Sequence, residues 1–448
     1  MEYSAITRVI TVAAGRFAPG HLGELTQIVP FEMVDEMLAA TGAVQSRLRD
    51  LPSRVVVYLL LAAALFEGLG YRQVWHRLVA GLTGLAVAHP SDSAMLQARR
   101  RVGVKPLRAL FDLLRHPGMA AAVWWRGLLV CAIDGTVMSA PDSAANLAWL
   151  SKQAGNHGGS GYPLIRVVAL VACGTRTLLD AVFGSIGAGE IACAHRLLRS
   201  LHRTMIVLGD RNFDVAALYQ AIKATGADLL IRVKSNRKLV VLQRFRDGSY
   251  LSQAGGVQVR VVECEISIAT AAGRHTGMYR LATTLLDPGR YPALDLVKLY
   301  HSRWEIETCY LELKSTILGG RVLRARTPAG VAQEIYALLT VYQVLRIAIA
   351  DAAHHAGIDA DRGSFTIALN AARDQLIQAT GVIADTVIDL IGAIGHQVLA
   401  NPMPDRRLRV SPRIVKRAIS KYQARGPNIN RTSYKATLSI DILAPPTP

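Results

Sequence analysis

Acidic residues are scarce in this sequence: 33 Asp and Glu face 51 Lys and Arg, a formal charge of +18. With so few carboxylates to offset it, a basic surface favours a polyanionic partner, either nucleic acid or an acidic membrane. Many of these cations are arginine, the better residue for forked contacts to phosphate. Cysteine is sparse too. Cys131, Cys173, Cys193, Cys264 and Cys309 are scattered and no pair has CxxC spacing, which argues against a zinc site or a disulfide framework and fits a reducing compartment. Long apolar runs are missing: the most membrane-like one, from Val55 to Phe66, stops at Glu67 and is too short to span a bilayer. It reads as a buried core helix. The first residues, MEYSAITRVI, lack the basic-then-apolar order of a signal peptide. No internal repeat, low-complexity linker or coiled-coil stretch is visible. The expectation is a soluble, cytoplasmic protein without a membrane partner.

What is present is enough hydrophobic sequence for a sizeable core. The chain has 448 residues, 51% of them hydrophobic and 19% charged, which excludes a largely disordered protein and predicts two or three domains. Residues 1–122 read as a helical N-terminal DNA-binding domain, with apolar residues at helical spacing near 31–48, 53–67, 71–83, 92–101 and 105–115. Within it, SDSAMLQARRRVGVKPLRALFDLL reads as helix, turn at Val102-Gly103, helix, with Ser91 or Asp92 as N-cap. Such a hairpin, ending its first helix in Arg99, Arg100 and Arg101, resembles a helix-turn-helix and makes those arginines candidate DNA contacts.

Residues 123–345 change rhythm. GLLVCAID is an apolar run ending in an acid, RVVALVACG and RTLLDAVFG flank a turn at Gly174-Thr175, and helix, strand, helix and strand follow through DLLIRVK. This order predicts a mixed α/β domain, with a β-rich insertion at about 235–292. Helical periodicity returns from Ala293 through Ile317. Residues 346–448 read as a helical C-terminal region with a basic tail.

Two acids, Asp134 and Asp210, each follow a run expected to be a buried strand, the place where α/β sheets gather functional residues. For either alone, a helix cap or turn is the blander reading. A third acid comes from YHSRWEIETCYLELK, residues 300–314. Treated as a continuous α-helix with Arg303 at zero, Tyr300 falls near ~60°, Glu307 near ~40° and Lys314 near ~20°, whereas Glu305 and Glu312 fall near ~200° and ~180°. Helical geometry thus selects Glu307 among three nearby acids, although a solvated face with an Arg303–Glu307 pair remains open. Three carboxylates can bind divalent metal through hard oxygen ligands, the apparatus for in-line phosphodiester displacement. Arg303 and Lys314 would neutralise phosphates and Tyr300 would position a phosphate or sugar.

The spacing Tyr-x2-Arg-x3-Glu-x6-Lys, met by Tyr300, Arg303, Glu307 and Lys314, resembles the YREK signature of bacterial insertion-sequence transposases of the family named after insertion sequence four. IDGTVMSAPD around Asp134 and LGDRNFDVAAL around Asp210 resemble the family's two aspartate motifs, and RVLRARTPAGVAQEIYALLTVYQVLR its stretch after the signature. The resemblance covers nearly the whole chain. It implies a ribonuclease-H-like core and a DDE transposase using two Mg²⁺ or Mn²⁺ ions at Asp134, Asp210 and Glu307. It also implies cleavage at element ends and strand transfer into target DNA. The partners it implies are duplex DNA, as terminal inverted repeats and target, and a second copy of the chain in a synaptic homodimer. Trp304, Arg321, Arg324 and Arg326 join Tyr300, Arg303 and Lys314 as expected DNA or phosphate contacts. Cys309-Tyr310 is less ordinary for the family and is expected to lie off the active face.

Between Arg406 and Lys435 stand ten basic residues and no acid, the composition of a phosphate-tracking arm. Three rival readings remain: a nuclease or resolvase of the same fold without strand transfer, a non-enzymatic DNA-binding regulator, and an inactive copy of a mobile element.

Overall fold

The computed structural model describes residues 17–45, 47, 49–82, 86–115, 124–152, 161–378, 392–404, 423–424 and 426–444, with short strands at 10–11, 409–410 and 414–415. Most of the basic tail therefore lies outside the described residues.

In chain order the helices are α1 (Phe31–Ala40), α2 (Ser53–Leu65), α3 (Tyr71–Val79), α4 (Asp92–Val102) and α5 (Lys105–Leu114). Strand β1 (Leu128–Ser139), α6 (Ala144–Trp149), β2 (Leu164–Ala172), β3 (Leu178–Ser185) and α7 (Glu190–Leu197) follow. Next come β4 (Met205–Gly209), α8 (Ala216–Ala224), β5 (Asp228–Arg232), β6 (Tyr250–Ala254), β7 (Val257–Thr270) and β8 (Gly273–Thr283). The chain continues with α9 (Ala293–Tyr300), α10 (Trp304–Leu311), α11 (Pro328–His355), α12 (Phe365–Gln378), α13 (Gly392–Ala400) and β9 (Tyr434–Ile442).

Two compact units result, one of residues 1–205 with 302–403, the other of 206–301 with 404–448. In the first, β1, β2 and β3 form an antiparallel sheet, with Asp134 opposite Ala169. The turn between β2 and β3 falls where Gly174 provides a positive φ of 90°, as the sequence predicts. Helix α2 is buried along almost its whole length, the fate expected of Val55–Phe66. Helix α11 is long and apolar enough to cross a membrane, but 78% of its most apolar window is buried inside the protein. It starts with Pro328 behind Thr327, whose hydroxyl accepts from the Gly330 amide at 3.3 Å, a local start signal.

In the second unit β4 and β5 pair in parallel, and β5 is followed across the sheet by antiparallel β8, β7 and β6. These last three strands are the expected β-rich insertion. Strand β9 pairs antiparallel with β7 over Cys264–Thr270, a difference from the helical C-terminal region read from periodicity. Alternation in YKATLSIDI is a strand signal, and the preceding helical pattern had masked it. The succession β1, β2, β3, α7, β4, α8, β5 is the element order of a ribonuclease-H-like core.

The run from Ala293 to Ile317 differs from the single α-helix assumed above. α9 ends at Tyr300, a 3₁₀ turn occupies His301–Arg303, α10 ends at Leu311 and a π-helical turn spans Glu312–Ile317. A uniform rotation per residue therefore holds only inside α10.

Candidate active site

Asp134 stands in the middle of β1, not at a strand end: the strand continues to Ser139 while its burial lapses from Asp134 to Val137. Its sequence neighbourhood looked like a terminus because Gly135 and Thr136 end the apolar run. Asp134 Oδ2 lies 3.6 Å from an Arg303 guanidinium nitrogen, and Arg303 also donates to Glu307 Oε1 at 2.8 Å. One cation thus bridges the first and third acids of the predicted set. Lys314 completes this face by donating from Nζ to the Thr136 hydroxyl at 3.1 Å.

The helix side opposite Glu307 is buried and ionic. Arg176 donates from Nε to Glu305 at 2.5 Å and from Nη1 to Glu312 at 3.2 Å. Arg346 donates from Nε to Glu312 at 3.1 Å and makes a second bond from Nη2. Tyr342 donates to the Arg176 carbonyl at 2.9 Å and approaches Glu312 at 3.2 Å. Glu305 and Glu312 are thereby consumed in structure, as helical geometry expected, and Glu307 is the acid left toward solvent.

Sequence reasoning missed three neighbours. Tyr310 donates to the Asp134 carbonyl at 2.6 Å and accepts from the Ala169 amide at 3.1 Å, so it bridges the paired residues Asp134 and Ala169. It therefore touches the carboxylate-bearing strand, contrary to the expectation that it lies apart from the active face. Burial pushes its hydroxyl pKa well up, aided by the negative charge of Asp134, so it remains a donor. Thr136 was visible in the IDGT motif but carried no assigned role. Glu190 packs so closely on Gly135 that an added Cβ would lie 1.9 Å from its Oε1, and it pairs with Arg166 at 3.6 Å. Its position at the start of α7 gave no signal in the sequence.

In the second unit, Asp210 follows β4 and caps a 3₁₀ turn, accepting from the Asn212 amide at 2.8 Å. Its neighbour Asp214 is buried and engaged by Tyr219, Arg237 and the Lys234 amide, which leaves Asp210 as the available acid of LGDRNFD. Tyr300 donates to the Gly209 carbonyl at 3.1 Å, against the strand end that carries Asp210.

The remaining predicted residues separate by exposure. Trp304 presents its ring to solvent, 52% exposed. Arg324 donates to the carbonyls of Ala63, Phe66 and Leu69 and pairs with Glu67 at 2.9 Å, so its guanidinium ties the end of α2. Arg321 makes a 3.4 Å contact to the Gly68 carbonyl. Arg326, Arg100 and Arg101 are exposed, and Arg99 lies 3.8 Å over the Tyr71 ring.

Among the described residues no three His, Cys, Asp or Glu side chains form a group that could hold a metal ion. The donor chemistry nevertheless fits one, because two hard carboxylates converge on a single cation, the Arg303 guanidinium.

Residues 19–112 match the family described as Insertion element 4 transposase N-terminal, and residues 125–344 match the Transposase DDE domain. Between them the two matches take in more than half of the chain, which belongs to the insertion element 4 family of DDE transposases. Among its relatives is "Transposase InsG for insertion sequence element IS4" of Escherichia coli (strain K12), 26% identical over 414 residues, covering 87% of this chain and 91% of that one. Another is "Putative transposase InsZ" of the same organism, 28% identical over 205 residues, covering 45% and 67%. A solved structure, "Cryo-EM structure of piggyBac transposase synaptic complex with hairpin DNA (SNHP)", aligns with a TM-score of 0.41 and 11% identity over 79% of this chain and 76% of that one. Membership establishes a DNA transposase, of a family that uses divalent metal ions.

Proposed function

We propose that this transposase cuts at the ends of its own element and joins them to target DNA. In this reading Asp134, Asp210 and Glu307 are the carboxylates of a divalent-metal site taking two Mg²⁺ or Mn²⁺ ions. The observation that carries it is the Arg303 guanidinium shared by Asp134 and Glu307. Two acids of a sheet strand and a helix meet at one point and accept a cation there. Asp210 is assigned from its motif and from the engagement of Asp214 elsewhere.

When bound, the ions supply Lewis-acid stabilisation of phosphodiester oxygens and a more acidic water. The chain's own groups orient and neutralise. Lys314, reaching Thr136, pairs with a phosphate beside the scissile bond. Arg303, once the carboxylates hold another cation, is released to do the same. Tyr300 orients a sugar or phosphate, and the exposed Trp304 ring offers a stacking surface. Tyr310 fixes the backbone that presents Asp134. The substrates are terminal inverted repeats and target duplex, the acting species is a dimer that brings two ends together, and the protein works in the cytoplasm on the nucleoid.

The test is cleavage of a labelled duplex carrying the element's end, with Mg²⁺, Mn²⁺ or EDTA. Asp134→Asn, Asp210→Asn and Glu307→Gln should each lose about 100-fold or more of the rate while still binding the duplex. Normal cleavage by Glu307→Gln, or cleavage in EDTA, would remove the carboxylate assignment.

A further inference from the structure

The end of α4 and the loop after the signature helix enclose a cleft of about 700 Å³ within the first unit. Five arginines line it, Arg99 and Arg100 from one wall and Arg321, Arg324 and Arg326 from the other, against a single carboxyl side chain, Glu67. Arg324 is held by Glu67 and Glu334, and the other four guanidinium groups have no acid of the lining as a partner. The side chains of Arg100 and Arg326 are exposed and make no hydrogen bond or ion pair among the described residues.

The walls are fixed in advance. Gln333 on α11 donates its amide to the Arg99 carbonyl at 2.8 Å and the Gly103 carbonyl at 2.6 Å, which ties the end of α4 to α11. Arg324 binds the carbonyls at the end of α2. A cleft held this way pays little to organise on binding. Its floor adds apolar surface from Leu96, Val322 and Ala329.

We propose that this cleft grips the sugar–phosphate backbone of duplex DNA, with Arg100 and Arg326 as phosphate contacts from opposite walls. Guanidinium groups suit phosphate oxygens, and apolar floor suits deoxyribose. The side-chain amide of the lining, Gln333, has its donors on carbonyls and offers none to an adenine edge. α4 therefore serves as a backbone clamp in place of the recognition helix suggested by its hairpin.

The proposal rests on the chain's acting on DNA, and its test is binding in EDTA, independent of cleavage. Fluorescence anisotropy would follow the full chain with two duplexes, one carrying the element's end and one scrambled, across a salt series. Arg100→Ala and Arg326→Ala should each weaken both duplexes several-fold and lower the slope of log affinity against log salt by about 0.9. Arg203→Ala, an exposed arginine outside the cleft, should change neither. Unchanged affinity and slope in the double variant would overturn the proposal. So would a loss confined to the element's end, or competition by inorganic phosphate equal to that by duplex, which would mark a base-reading site or a small-anion pocket. If no variant or wild type cleaves yet binding behaves as expected, the clamp stands and the catalytic reading falls.

Discussion

Glu67 shows how a single carboxyl can record the cost of burial. It shares Arg324 with Glu334, which lies 3.8 Å from the same guanidinium. Burial, the larger cause, raises its pKa to about 8 despite Arg324. The sign follows from linkage: the unfolded carboxyl ionises near its ordinary value, whereas the folded one stays protonated until about pH 8. Stability from this group is therefore fully present at acid pH and declines as pH rises through that window. Glu67→Gln should be more thermostable than wild type at pH 8 and show a smaller advantage at pH 5, measured by calorimetric Tm at both. An advantage independent of pH would refute the assignment. At the same scale, the rotation assumed from the sequence separates Glu307 from Glu305 inside α10, and Glu312 joins Glu305 on Arg176 although it opens the π-helical turn. The same rotation sets Tyr310 near ~340°, beside Arg303, but gives it no partner. Its role depends on contact with β1, which is distant in sequence.

Among the elements, the π-helical turn Glu312–Ile317 bears most on function. It begins at Glu312, clamped by Arg176 and Arg346, and carries Lys314 toward Thr136. Arg176 itself adopts a φ of 59°, a conformation uncommon outside glycine, and the buried network holds it there. Removing Glu312 by substitution to Ala would strand the buried Arg346 guanidinium and leave Arg176 with Glu305 alone, so urea unfolding should show a loss of about 3–5 kcal/mol. A loss below about 1 kcal/mol would mean the network contributes no more than a surface pair. The five N-terminal helices were legible from their apolar spacing, and Ser91 caps α4 by accepting from Ala94 at 3.2 Å. The break between α9 and α10 was not legible, since apolar periodicity persists through a 3₁₀ turn.

For the whole molecule, the surplus of 51 basic over 33 acidic residues is a long-range property that favours DNA without selecting a sequence. In the proposed synaptic dimer each copy of the chain holds one element end. Analytical ultracentrifugation should therefore show a complex of two protein chains with two end duplexes, absent with scrambled duplex. One chain per duplex at saturation would contradict the synaptic dimer.

Local chemistry in the sequence determined most of the elements and their order in the mixed α/β domain. These follow from periodicity, capping and fixed spacing, all of which act over a few residues. Tertiary structure alone decided that Asp134 is mid-strand, that Arg303 is shared by two carboxylates and that Tyr310 supports β1. It also decided that compact units take residues 1–205 with 302–403 and 206–301 with 404–448. The physical reason is that such contacts join residues far apart in sequence, through burial and pairing that no local pattern encodes.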